Sequence, residues 1–452
     1  MPNWETPKDG KMNPTPDRSS GARITRRNVL LGAGAMFARS VLARTSATVH
    51  ETDKHESADK QLPPGIPRNP HVAYGEKTLP GGIRSRLVDN NNGLVMHILE
   101  AGFEEPRRPC VVLLHGFPEL AYTWRHQLPA LAKAGFHVFA PDLRGYGRTA
   151  AVPVSFGDDL APYFMLNRVS DVLGLTRAMG YEKVTCVVGH DWGGPIAQWC
   201  ALARPDVFRS VVNVSTPFGS APTLPIGTAD GPKMHKPDVD IEKELAALAR
   251  PRKHYWWYSA SRGANEDMWH AAQGVHDLLR AMYYFKSADY KANRPFALKA
   301  WTAQELAKMP EYYIMDLDKG IAETMAAHMP SEEEIAACAW LTEEDLRVYS
   351  SEYGRTGFQG GLNSYRVLMN PKYSAELRAF SGRKIDVPSC FIGGAQDWGV
   401  RQSPGTFESM GQEACTRLLG VHLIEGAGHS VPEEQPEQMN RLLLEFLKQL
   451  PA

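Results

Sequence analysis

Three residues whose types can make and break an ester stand in the order nucleophile, acid, base. Asp191 lies in Gly189-His190-Asp191-Trp192-Gly193-Gly194, directly after the apolar run Lys183 to Val188. A strand that ends in a glycine-flanked turn and passes at once into a helix exposes one side chain at the sheet's carboxyl edge. Asp397 follows a late strand in Gly393-Gly394-Ala395-Gln396-Asp397-Trp398, and His429 precedes the closing helix in Gly426-Ala427-Gly428-His429. A serine at that turn would attack an acyl carbon. A carboxylate attacks an alkyl carbon instead, displaces oxygen or halide, and is left as an ester of the enzyme's own aspartate. Removing the ester needs a base for water, which a histidine oriented by a carboxylate supplies. It also needs N–H donors for the oxyanion. The early loop His115-Gly116-Phe117-Pro118-Glu119 and the residue after the nucleophile are suited to give them, through the backbones of Phe117 and Trp192. The chain has no H-E-x-x-H, P-loop or G-x-G-x-x-G opening a βαβ unit, and the chemistry calls for no metal and no organic cofactor.

Such residues need a rigid platform. Cys110 to Leu114, Phe136 to Ala140, Lys183 to Val188, Ser210 to Asn213, Val387 to Ile392 and Val421 to Glu425 are short apolar runs. They read as strands, the central ones buried on both faces. Helical stretches alternate with them: Tyr122 to Ala134, Leu160 to Met179, Ile196 to Ala203 and Met439 to Leu450. This alternation predicts an α/β fold, a mostly parallel sheet flanked by helices. Ile83 to Val88 and Leu94 to Glu100 alternate around Asn90-Asn91-Asn92-Gly93, a hairpin signal. Between 218 and 384 the alternation stops in an aromatic-rich stretch expected to be helical, a cap inserted ahead of Asp397. Within it, Arg250, Arg252 and Lys253 read as a solvated helix end. The core is then 83–217 with 385–452, and the cap 218–384.

The motifs His115-Gly116-Phe117-Pro118-Glu119, Asp142-Leu143-Arg144-Gly145-Tyr146-Gly147, Gly189-His190-Asp191-Trp192-Gly193-Gly194 and Asn213-Val214-Ser215-Thr216-Pro217-Phe218 together resemble the epoxide hydrolases of the α/β-hydrolase fold. The resemblance spans 83–450, with a cap longer than is usual for that family. It implies a nucleophilic Asp191, a His429–Asp397 pair and two cap tyrosines that assist ring opening. Gly360-Gly361-Leu362-Asn363-Ser364-Tyr365-Arg366 matches the family's G-x-x-N-W-Y-R with Ser364 for Trp, so Tyr365 is one tyrosine. The other belongs to a segment Y-x-x-x-F-Q-x-P-G. Tyr312-Tyr313-Ile314-Met315-Asp316-Leu317-Asp318-Lys319-Gly320 is its nearest counterpart, with Phe, Gln and Pro all replaced. Tyr313 is the candidate taken from it, with Tyr312 the alternative. The implied partners are a small apolar epoxide and water. A haloalkane dehalogenase of the same fold also places Trp after its Asp, but often carries Asn or Glu where this chain has Phe117. It stands as the alternative, beside a non-catalytic binding protein of this fold.

Composition agrees with a globular enzyme. The chain has 452 residues, 43% apolar and 22% charged, with a net charge of −1. Neutrality and the lack of a basic run argue against a nucleic-acid partner, and no apolar stretch approaches the ~20 residues of a membrane span. The six cysteines are too few for a disulfide scaffold and read as small buried hydrophobes. The N-terminus reads as an address. Thr25-Arg26-Arg27-Asn28-Val29-Leu30-Leu31 resembles a twin-arginine export signal, followed by the weakly apolar run Val29 to Ala38 and Val41-Leu42-Ala43. Residues 1–43 are thus expected to be a signal peptide, 44–82 an arm or linker, and the mature protein periplasmic or secreted.

Overall fold

The apolar runs pair into an eight-stranded sheet. In the computed structural model, which describes residues 75, 77–150, 153–222 and 240–451, the strands are β1 (Arg84–Asp89), β2 (Val95–Ala101), β3 (Cys110–Leu114), β4 (His137–Pro141), β5 (Cys186–His190), β6 (Val211–Val214), β7 (Arg252–His254), β8 (Ile314–Asp316), β9 (Ser389–Gly394) and β10 (Leu418–Ile424). All described residues belong to one unit, Gln61–Ala452. The main sheet runs β1-β2-β4-β3-β5-β6-β9-β10. The hairpin β1–β2 is antiparallel in the register Arg84↔Glu100 to Asp89↔Val95, and β2 meets β4 antiparallel. Every other pair in that sheet is parallel.

Parallel strands are joined by crossovers that lay helices over the sheet, so the inner strands lose water on both faces. β3, β4, β5, β6 and β9 are accordingly buried along their whole length. Each fully buried Val, Leu or Ile stabilises the fold by roughly 1.5–3 kcal/mol. The edge strand β10 instead alternates half-buried with exposed residues until Ile424. All six cysteines are unpaired; five are buried and Cys338 is half-buried. Among the described residues, no helix is long and apolar enough to cross a membrane.

Between β6 and β9 the chain is mostly helical, with one departure from expectation. β7 and β8 form a two-stranded antiparallel sheet, Arg252↔Asp316 to His254↔Ile314. Arg252 and Lys253 therefore lie on a strand, not at a solvated helix end. Pro251 cannot sit in a helix interior, and the strand gives Arg252 a place to bury. It is 6% exposed, with its guanidinium donating to the Ile314 carbonyl. Arg250 stays exposed and pairs with Asp316 and Glu311. The expected signal segment 1–43, the arm 44–82 apart from residues 75 and 77–82, and cap residues 223–239 lie outside the described residues.

Candidate active site

The turn after β5 is built from close approaches. A Cβ on Gly189 would sit 2.0 Å from the Gly193 carbonyl oxygen, and one on Gly193 would sit 2.2 Å from that of Leu114. Neither position has room for a side chain. Asp191 holds φ at +48°, a conformation L-residues rarely adopt. Bonds on both sides fix it: its N–H donates to the Val214 carbonyl at 3.2 Å, and its own carbonyl accepts from Gly194 N–H and Thr216 Oγ1, each at 3.0 Å. The helix Gly193–Ala203 starts immediately after Trp192.

This turn aims the Asp191 carboxylate at the other predicted residues. Oδ1 accepts the Phe117 N–H at 2.8 Å. Oδ2 lies 3.2 Å from His429 Nε2, within ion-pair distance but off the hydrogen-bond line. His429 Nδ1 faces both Asp397 oxygens, at 3.2 and 3.1 Å, and Asp397 Oδ1 also accepts the Gly399 N–H at 2.7 Å. Asp191, His429 and Asp397 thus meet at the carboxyl ends of β5, β10 and β9.

Charge sets their states. Burial works against ionisation of Asp191, but the adjacent His429, with Lys286 behind it, holds its pKa well below the usual carboxylate range. Burial and Lys286 push the His429 proton off, yet Asp397 and Asp191 outweigh them and raise its pKa to about 9. Asp397 is likewise held low against burial by His429. These directions favour a carboxylate at Asp191 beside a protonated His429.

A network absent from the sequence reading supports these groups. Glu119, 1% exposed, accepts the Gly116 N–H at 2.8 Å and pairs with His190 Nδ1 at 2.8 Å. His190 Nε2 reaches the His429 carbonyl at 2.7 Å, which also accepts Ser215 Oγ at 2.9 Å. One buried chain thereby ties the early loop, the elbow and the histidine loop together. Glu434 caps that last loop, accepting from Gly428 N–H at 2.8 Å and Ser430 N–H at 2.9 Å. The sequence signal for Glu119 and His190 was their place inside the two motifs.

The cap supplies phenols. Gly360 and Gly361 let the helix Gln359–Leu368 press onto the core: a Cβ on the first would meet the Gly145 carbonyl oxygen at 1.9 Å, and one on the second the Phe117 ring at 2.4 Å. Tyr365 on that helix stands edge-on to Trp192 and Phe117, ring centroids 5.1 and 5.8 Å apart. The β7–β8 pair positions the other segment, for Tyr255 N–H donates to the Tyr313 carbonyl at 2.9 Å. Tyr312 and Tyr313 stay together, their ring centroids 5.2 Å apart and both packed on Tyr255. Asp191 is the charge that bears on Tyr312, whereas Tyr313 feels Asp397 ahead of Asp191. The Asp191 charge thus bears on both phenols, and Asp397 bears on Tyr313 as well. Counting to Gly320 from Tyr312 gives the full step of Y-x-x-x-F-Q-x-P-G, which favours the alternative. Tyr255 lies nearby, its hydroxyl donating to Gln402 Oε1 at 3.0 Å. Burial raises the pKa of Tyr312 and Tyr365, so both keep their protons.

Comparison with known proteins gives consistent matches. The α/β-hydrolase fold family matches residues 109–301. Epoxide hydrolase B of Mycobacterium tuberculosis is 33% identical over 366 residues, covering 79% of this chain and 96% of the relative. Epoxide hydrolase 3 of Siraitia grosvenorii is 31% identical, covering 80% and 97%. Among solved structures, an epoxide hydrolase from an endophytic Streptomyces superposes with a TM-score of 0.63 at 32% identity, over 82% of this chain and 96% of that one. Potato (Solanum tuberosum) epoxide hydrolase I gives 0.61 at 29% identity, over 81% and 100%.

Proposed function

The chain belongs to the epoxide hydrolases of the α/β-hydrolase fold, and from that membership we propose a two-step ring opening through an ester of Asp191. The chain is a hydrolase acting on epoxide ether bonds. One observation carries the mechanism: the Asp191 carboxylate is held between the Phe117 N–H on Oδ1 and the His429 imidazole beside Oδ2. Oδ2 attacks a ring carbon. Tyr312 and Tyr365 donate to the departing oxygen, which a strained ring needs at neutral pH. Oδ1, already facing an N–H donor, becomes the ester carbonyl. His429, oriented by Asp397, then takes a proton from water, and hydroxide adds to that carbonyl. The oxyanion forms against Phe117 N–H and the backbone N–H of Trp192, where one such donor is worth roughly 2.7–4 kcal/mol. A vicinal diol leaves.

Export is part of the same reading. Thr25-Arg26-Arg27 ahead of a weak apolar run supports passage through the twin-arginine route to the periplasm or beyond.

The test is a single turnover in heavy-oxygen water with enzyme in excess. The oxygen given to the first diol comes from Asp191, so the diol is unlabelled and the label enters the protein. In His429→Gln the ester persists and adds the substrate's mass to the peptide carrying Asp191. Labelled diol in the first turnover, without any mass shift, would mean direct attack by water. Halide release from a haloalkane panel, with no diol from epoxides, would move the chain to the dehalogenases.

A further inference from the structure

A lysine stands inside the site, and the two steps above leave it unused. Lys286 ends the helix Gly274–Lys286, in the stretch of cap ahead of the tyrosine segment. Its carbonyl accepts the His429 N–H at 2.9 Å. Gly428 permits this, since a Cβ there would lie 2.3 Å from the same oxygen. The lysine side chain lines a small cavity together with Phe117, Glu119, Tyr283, His429 and Ser430. The residue is 9% exposed. Among the described residues no side chain hydrogen-bonds its ammonium, and Nζ rests 5.1 Å from the centre of the Tyr312 ring. The carboxyl groups facing it are Asp191, Asp397, Glu119 and Glu434. An ammonium lining a cavity inside the site is screened less than one on the surface.

We propose that Lys286 is a positioning charge that makes His429 surrender its proton once Asp191 has become an ester; this rests on the two-step reading above. The groups facing His429 are Asp191 from the elbow, Asp397 from the loop after β9, His190 from the end of β5, Glu119 from the early loop, Glu434 from the following helix, and Lys286 from the cap. In the free enzyme two carboxylates, Asp191 and Asp397, bear directly on the imidazole and keep it protonated. Esterification deletes the Asp191 charge. Asp397 alone then faces a buried imidazolium opposed by Lys286. Burial already lowers the Lys286 pKa and the ester removes the first charge that offsets it, but an ammonium starts about four pH units above an imidazole. The imidazole therefore yields, as the second step requires of a base.

The proton count closes. As Asp191 Oδ2 bonds to carbon and the ring C–O bond breaks, the alkoxide takes a phenolic proton from the tyrosine pair. The His429 proton passes to that phenolate, leaving a neutral imidazole. The imidazole takes a proton from water as hydroxide adds to the ester carbonyl. Collapse expels the second diol oxygen, which takes that proton. The new carboxylic acid then reprotonates His429. One water is consumed and the starting charges return.

Rapid-quench single turnovers across pH 6–9, with the ester followed by intact-protein mass, test this on the full chain. In Lys286→Met the ester still forms, but the acidic midpoint of its hydrolysis rises by about one pH unit or more, so ester accumulates at neutral pH. Lys286→Arg restores the midpoint. An unmoved midpoint in Lys286→Met overturns the proposal. If Lys286→Met does not fold, imidazole titration by nuclear magnetic resonance in Asp191→Asn decides instead. That variant removes the same charge without turnover, and adding Lys286→Gln to it must raise the His429 titration above its value in Asp191→Asn alone; equal values overturn the proposal. Failure of the wild type to form any ester refutes the two-step reading itself, a separate outcome.

Discussion

Exchanging a single hydroxyl discriminates between the adjacent tyrosines 312 and 313. Tyr312→Phe removes one oxygen from a residue 2% exposed. The ring, its packing on Tyr255 at 5.3 Å and the Lys286 ammonium at 5.1 Å all remain. No protein group is left unpaired, so stability changes little. The loss falls on the transition state, where the phenol donates to a departing alkoxide. One such donor is worth roughly 2.7–4 kcal/mol, which is about 100- to 900-fold in the alkylation rate. Tyr313→Phe changes that rate by less than about threefold, well under 1 kcal/mol. The assay is stopped-flow fluorescence with enzyme in excess. Trp192 adjoins the nucleophile in the chain and packs on Tyr365, so it reports ester formation. A large loss in Tyr313→Phe with none in Tyr312→Phe would refute the choice of Tyr312 drawn from its spacing to Gly320.

Removing both donors, in Tyr312→Phe with Tyr365→Phe, nearly abolishes turnover while thermal unfolding stays close to wild type; retained turnover in that double variant would exclude the phenols as acids. The resting proton on His429 makes kcat/KM fall on the alkaline side. Its pKa is raised to about 9, so the proton that ends on the alkoxide is present below that pH and lost above it, and a profile flat through pH 10 would contradict this. Gly360→Ala drives a methyl toward the Gly145 carbonyl oxygen, 1.9 Å away before relaxation. Overpacking of this kind costs about 1–3 kcal/mol, read as a lower midpoint of denaturation together with weaker alkylation as Tyr365 lifts off. Export is measured with residues 1–50 fused to a reporter active only outside the cytoplasm; replacing Arg26 and Arg27 by Lys stops it, and continued export would remove the twin-arginine reading.

Much of the core was legible because each central strand is a continuous apolar run. Cys110 to Leu114 coincides with β3, and the hairpin at Asn90-Asn91-Asn92-Gly93 appears in the expected place. The run Tyr122 to Ala134 was less regular than its periodicity, splitting into a short 3-10 turn at Ala121–Trp124 and a helix at Gln127–Lys133. In the cap, apolar spacing suggested helices throughout. β7 and β8 are three residues each, too short for a period-2 pattern to register, and they exist because each is the other's partner.

Local chemistry in the sequence determined the elbow, since only glycine fits at 189 and 193, and it determined the types and order of Asp191, Asp397 and His429. Those features depend on neighbours within a few positions or on motifs that carry their own geometry. Tertiary structure alone decided how the tyrosine segment is held over the site, because strand pairing 60 residues away in the chain positions it. It also decided that Lys286 sits inside the site. In sequence Lys286 is a cation at the end of an amphipathic helix, a position that ordinarily faces water. Only the packing of that helix end against the His429 loop removes the water and turns a surface charge into an internal one.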